Sequence, residues 1–135
     1  MASDKFGSIL VTPKCSNNCV FCREAVFTKP EDLTLEDEKK LLKDAEYFIK
    51  QGFKRVDISG SEPLKYSKII EFLTWLSKHF DLITVLDPGN KLSDKEFAKK
   101  FVKTGVSGIL IPIYGSRAEV HDLVVGNKGA FNQAV

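Results

Sequence analysis

Short runs of β-branched and aliphatic residues alternate with amphipathic helical stretches along the chain, and this alternation limits the fold more than any other feature. The first run is Ser8-Ile9-Leu10-Val11-Thr12, read as a buried strand and stopped by Pro13. A long loop follows. Thr34 then opens a helix, with Asp37 completing a capping box, and Leu41, Leu42, Ala45, Phe48 and Ile49 give it one apolar face. Gly52 is the expected stop. The second strand is Arg55 to Ser59, and a helix is expected from about Tyr66 to Phe80, with Ile69, Leu73, Leu76 and Phe80 facing inward. The third strand is Leu82 to Leu86, followed by the turn Asp87-Pro88-Gly89-Asn90. Ser93 and Glu96 suggest a capping box for a third helix, whose buried face is Phe97, Ala98, Phe101 and Val102. The fourth strand is Gly108 to Ile113. Residues 114–129 read as loop or partial helix, and Phe131 to Val135 as the start of another helix.

Strands separated by helices imply an α/β fold with parallel strands and right-handed crossovers. Ligands of such sheets bind at the carboxyl ends of the strands. The unusual residues all fall at that edge. Three cysteines follow the first strand, Gly60-Ser61-Glu62-Pro63 follows the second, Asp87 the third, and Tyr114-Gly115-Ser116 the fourth. One composite site is therefore expected there.

The 135 residues suffice for a single domain, spanning 1–135. At 43% hydrophobic and 28% charged, the chain can build a core. Its 20 basic and 18 acidic side chains leave a formal charge of +2, too little to point to nucleic acid. Lys39, Lys40 and Lys43 are interleaved with acidic residues and read as a solvated helix face. No apolar run approaches the roughly 20 residues of a membrane span, so no membrane partner is expected. Met1 to Lys5 lacks the pattern of a secretory signal. The expected location is the cytoplasm, where thiols stay reduced.

Cys15, Cys19 and Cys22 lie within eight residues, and they are all the cysteines of the chain. An odd number of thiols argues against a disulfide framework and for a metal site with an open position. Close-set thiolates suit a soft metal or an iron–sulfur cluster. Structural zinc wants four ligands, and a fourth would have to come from His79, His121 or a carboxylate. Zinc, a cluster with one free iron, and three ordinary thiols all remain open at this level.

The segment Cys15-Ser16-Asn17-Asn18-Cys19-Val20-Phe21-Cys22 resembles the Cys-x3-Cys-x-Φ-Cys motif of radical S-adenosylmethionine (radical SAM) enzymes, with Phe21 as the aromatic Φ. The resemblance extends from Ser8 to about Val135. It implies a partial (β/α) barrel, of which this chain would supply about four of the usual six units. It also implies that Cys15, Cys19 and Cys22 hold a [4Fe-4S] cluster whose fourth iron takes S-adenosylmethionine. Reductive cleavage of that cofactor would yield a 5′-deoxyadenosyl radical, which abstracts hydrogen from a substrate. A reductant of flavodoxin or ferredoxin type is implied as partner. The unidentified substrate could be a peptide or a cofactor precursor. The alternative is a non-catalytic module of the same fold holding zinc or an iron–sulfur centre.

Gly60-Ser61-Glu62-Pro63 resembles the family's Gly-Gly-Glu-Pro turn, which contacts the amino group of S-adenosylmethionine. Ser61 replaces the second glycine, a harmless change only if its φ is negative. Asp87 lies where relatives carry Thr-Asn-Gly. Ser116 lies where they place a polar contact to the cofactor, with Tyr114 behind it. His121-Asp122 through Gly126, Gly129 and Phe131 resembles a "His-Asp … Gly … Gly-x-Phe" segment of the family, in which His121 is read as a hydrogen-bonding residue of the framework. Four strands would leave Ile109-Leu110-Ile111 as an apolar edge, blunted by Pro112. The chain is therefore expected to be the N-terminal portion of a longer enzyme.

Overall fold

The computed structural model describes residues 5–22 and 31–135; residues 23–30 of the expected long loop lie outside them. Strands β1 (Phe6–Val11), β2 (Arg55–Gly60), β3 (Leu82–Leu86) and β4 (Gly108–Leu110) form one sheet in the order β1-β2-β3-β4. Every pairing is parallel. The register sets Val11 beside Gly60, Ile58 beside Val85, and Leu86 beside Leu110. Helices α1 (Leu35–Lys50), α2 (Ile69–Leu76) and α3 (Lys95–Val102) make the crossovers, and α4 (Ala118–Val125) and α5 (Ala130–Ala134) follow β4. This is the α/β alternation expected of a partial barrel, and it is not closed. Among the described residues, no helix is long and apolar enough to cross a membrane.

Ile9, Val11, Val56, Ile58, Ile83 and Val85 lie in a single core with Leu41 and Ala45 of α1, Ile69, Leu73 and Leu76 of α2, and Phe101 of α3. Each fully buried aliphatic side chain stabilises the fold by roughly 1.5–3 kcal/mol. Strand β1 alternates rather than being buried throughout, as the sequence reading had it, and Leu10 is 50% exposed. Alternation has period two, so only one set of its side chains can face the helices. The opposite face of the sheet is open at Leu10 and Leu110.

Local chemistry explains the element boundaries. Thr34 and Asp37 cap α1 reciprocally, as expected. The expected helix from Tyr66 to Phe80 is shorter. A 3-10 turn, Pro63–Lys65, comes first, and Tyr66 then takes an extended ψ of 125° that interrupts the helix before α2 begins. The cap of α3 is Asp94, whose side chain accepts from the N–H groups of Glu96 and Phe97. The expected cap, Ser93, instead donates its hydroxyl to the Asn90 carbonyl inside a preceding 3-10 turn, Asn90–Ser93. Strand β4 ends at Leu110 rather than Ile113, since Pro112 has no N–H to give to a ladder.

Candidate functional site

The carboxyl ends of the strands surround a cleft of about 370 Å³. Cys15, Cys19 and Cys22 line it together with Phe21 from the same loop. Gly60 and Ser61 enter from β2, Asp87 from β3, and Tyr114 and His121 from the segment after β4. Residues far apart in sequence thus meet at the edge where the parallel topology placed them.

The turn after β2 is fitted to its neighbours. Gly60 has φ +130°, and a Cβ there would overlap the Val11 carbonyl oxygen of the adjacent strand. Only glycine meets both demands. Ser61 has a negative φ, so its departure from glycine carries no backbone strain. Its hydroxyl donates to the Pro13 carbonyl at 2.6 Å, tying the turn to the start of the cysteine loop. Glu62 is 1% exposed and does not line the cleft. It faces a second hollow of about 390 Å³ behind the loop, with Ser16, Lys65 and Lys91 among its walls. Its carboxylate accepts the Ser16 N–H at 2.6 Å. Pro63 is buried at the head of the 3-10 turn.

Asp87 is buried, and both oxygens are engaged, accepting from the N–H of Leu64 at 2.8 Å and of Gly89 at 2.7 Å. It thereby ties the exit of β3 to the exit of β2. Burial pushes its carboxyl up to about 6, against the pull of those two N–H groups. Ser116 is exposed and is not among the cleft residues, because the chain leaves the sheet at Leu110. Phe21 meets Tyr114 edge to face at 5.0 Å, and Tyr114 stacks on His121 at 5.9 Å. His121 is buried and its Nδ1 accepts the Tyr114 N–H at 3.1 Å, the framework role expected of it. Asp122 accepts from the N–H groups of Gly129 and Phe131, so the whole His-Asp … Gly-x-Phe segment is a connected scaffold.

That scaffold holds the cysteine loop. Asn18 N–H donates to the Val125 carbonyl at 2.7 Å and Val20 N–H to the Val124 carbonyl at 3.1 Å. Gly126, with φ +62°, packs so closely that a Cβ would overlap the Asn18 carbonyl oxygen. Asn17 is held by Asn90 and Asn127. The sequence reading missed these three asparagines because an isolated asparagine carries the same signal as any turn residue.

The donor set suits a cluster. Three thiols line one cleft, and among the described residues no lysine or arginine lines it with them. Desolvation pushes the Cys15 thiol up to about 11, and burial followed by the neighbouring Cys22 raises that of Cys19. Both must lose a proton on binding iron. Among the described residues, no three His, Cys, Asp or Glu side chains form a group that could hold a single metal ion. Structural zinc takes four protein ligands, whereas a four-iron cluster takes these three thiolates and leaves one iron open.

The Radical SAM superfamily model matches residues 9–135. The chain is 28% identical over 127 residues to the AdoMet-dependent heme synthase of Oleidesulfovibrio alaskensis, covering 93% of this chain and 32% of that protein. It is 29% identical over 113 residues to the GTP 3′,8-cyclase of Mesorhizobium japonicum, covering 78% and 33%. It is 27% identical over 125 residues to the antilisterial bacteriocin subtilosin biosynthesis protein AlbA of Bacillus subtilis, covering 91% and 27%. The chain thus spans about a third of the length of the curated relatives it matches. With its cysteine loop set at the open edge of a parallel α/β sheet, the chain belongs to the Radical SAM superfamily.

Proposed function

We propose that Cys15, Cys19 and Cys22 hold a [4Fe-4S] cluster with one iron left for S-adenosylmethionine, and that the chain is the cluster-binding part of an enzyme. The observation that carries this is the meeting of all three thiols with Gly60, Ser61, Asp87 and Phe21 on one cleft. When bound, the cluster supplies the single electron that cleaves S-adenosylmethionine and releases a 5′-deoxyadenosyl radical.

The chain's own residues bind, orient and exclude water. Gly60 lines the cleft without a side chain, which would let a cofactor approach the backbone closely. Glu62, the acidic residue of the turn after β2, lies behind the cleft and acts through the cysteine loop, which its carboxylate anchors at Ser16. Pro63 stiffens the turn. Phe21 and Tyr114 offer an aromatic wall for a base. Asp87 holds two strand ends in register rather than reaching outward, and Ser116 would meet a ligand only from outside the cleft. The relatives' names refer to haem synthesis, GTP cyclisation and bacteriocin production. They support a peptide or cofactor precursor as the substrate class. A flavodoxin- or ferredoxin-type reductant is what membership of the family implies.

The test is anaerobic reconstitution with iron and sulfide, reduction, addition of S-adenosylmethionine and assay for 5′-deoxyadenosine. Production that requires all three cysteines supports the proposal. A colourless zinc form that binds no S-adenosylmethionine contradicts it and favours the non-catalytic module.

A further inference from the structure

Among its described residues the cysteine loop contains no helix or strand, yet its first interval is fixed by side-chain amides. Asn17 sits midway between Cys15 and Cys19. Its Oδ1 accepts from Asn90 Nδ2 at 2.9 Å and from Asn127 Nδ2 at 2.9 Å. One donor stands at the exit of β3 and the other just past α4. A carboxamide oxygen has two lone pairs, and here both are taken.

Two further observations single this oxygen out. Asn90 is 6% exposed, and its own Oδ1 is buried without a partner. An unpartnered buried acceptor is unfavourable, so the placement of Asn90 is explained by what its Nδ2 gives to Asn17. The backbone N–H of Asn17, in turn, favours the Cys15 thiolate against the desolvation that opposes it. Asn17 therefore joins the framework on one side to a proposed metal ligand on the other.

The geometry points to Asn17 as the positioning residue of the cysteine loop: its side-chain oxygen, gripped by Asn90 and Asn127, fixes where Cys15 and Cys19 present their sulfurs before any iron arrives. The consequence for the cluster rests on the function proposed above; the ordering of the loop does not. Hydrogen bonds to ligating sulfurs tune both retention and reduction potential, so a displaced Asn17 N–H alters each.

The direction of the two bonds gives a chemical test. Asn17→Asp keeps an acceptor for both donors. Asn17→Leu keeps the volume and loses both bonds. Asn127→Asp turns a donor into an acceptor facing an acceptor, from a residue outside the loop. In the metal-free chain, hydrogen exchange at Asn18 and Val20 is expected to quicken about tenfold in Asn17→Leu and Asn127→Asp, and to stay within about twofold of the parent in Asn17→Asp. After reconstitution, Asn17→Leu and Asn127→Asp should lose iron to a chelator about tenfold faster, with a shifted reduction potential in Asn17→Leu. Parent-like exchange in a folded Asn17→Leu or Asn127→Asp overturns the assignment. So does an Asn17→Asp chain that behaves like Asn17→Leu. If the parent itself retains no iron, the cluster reading fails, while the exchange comparison still decides the role of Asn17.

Discussion

The buried carboxylate of Glu62 accepts the backbone N–H of Ser16 at 2.6 Å, bridging 46 residues of sequence and pinning the residue that follows Cys15. Glu62 thus belongs to the support of the cysteine loop as well as to the turn after β2. A hydrogen bond to a charged group contributes about 1.5–3 kcal/mol. Glu62→Ala is expected to lower unfolding free energy by about 2 kcal/mol, measured in urea. Glu62→Gln retains an acceptor for Ser16 and should lose under about 1 kcal/mol. Equal losses in the two variants would contradict this role.

Gly126, at the C-terminal end of α4, packs directly against the cysteine loop at Asn18. Gly126→Ala places a non-glycine residue at φ +62° and drives its Cβ into the Asn18 carbonyl oxygen. The left-handed conformation alone costs about 1 kcal/mol, and displacing the Asn18–Val125 hydrogen bond adds about as much. A total near 2 kcal/mol is expected in thermal or urea unfolding. Unchanged stability would show that the loop is not held there.

The pH dependence of stability carries a signature of Asp87. Its carboxyl is pushed from 3.8 up to about 6, chiefly by burial. The folded chain therefore holds this proton more tightly than the unfolded chain. The group's contribution is complete below about pH 4 and is lost as pH rises through about 6, a change of about 3 kcal/mol. Asp87→Asn removes the titration. The stability of the parent minus that of Asp87→Asn should fall as pH rises from 4 to 6 and then level off. A difference that stays flat across that range would contradict the account.

Much of this was legible in the sequence, for reasons that differ by residue. The four strands followed from β-branched runs, and β3 was found with its bounds intact because Phe80 and Asp87 flank it sharply. The Thr34 and Asp37 cap was legible because both partners are local. The α3 cap was misplaced by one residue, since Ser93 and Asp94 are both good capping residues and only the preceding 3-10 turn chooses between them. The cysteines, Gly60 and Ser61 announced themselves by spacing and type. The amide contacts of Asn17 and the Ser16 bond of Glu62 did not, because each joins residues separated by 46 or more positions. The distance of Ser116 from the cleft was hidden by the early end of β4.

His121 offers a further check on the scaffold. Its Nδ1 is the acceptor for the Tyr114 N–H, and its ring lies between Tyr114 and Phe131. His121→Phe keeps an aromatic ring and removes the acceptor. A loss of about 1–2 kcal/mol in unfolding free energy is expected, with iron content per folded chain preserved. Parent-like stability would place the histidine's role elsewhere.

The central claim is that the three thiols of the cleft hold one cluster. The most direct measurement is iron and sulfide content after anaerobic reconstitution, made on the parent and on Cys15→Ala, Cys19→Ala and Cys22→Ala, with circular dichroism as the control for folding. The account predicts about four irons and four sulfides per parent chain, and loss of the cluster in each variant while the core of Ile9, Ile58, Val85 and Leu73 keeps the fold. A full complement of iron and sulfide in any one of the three folded variants would contradict it.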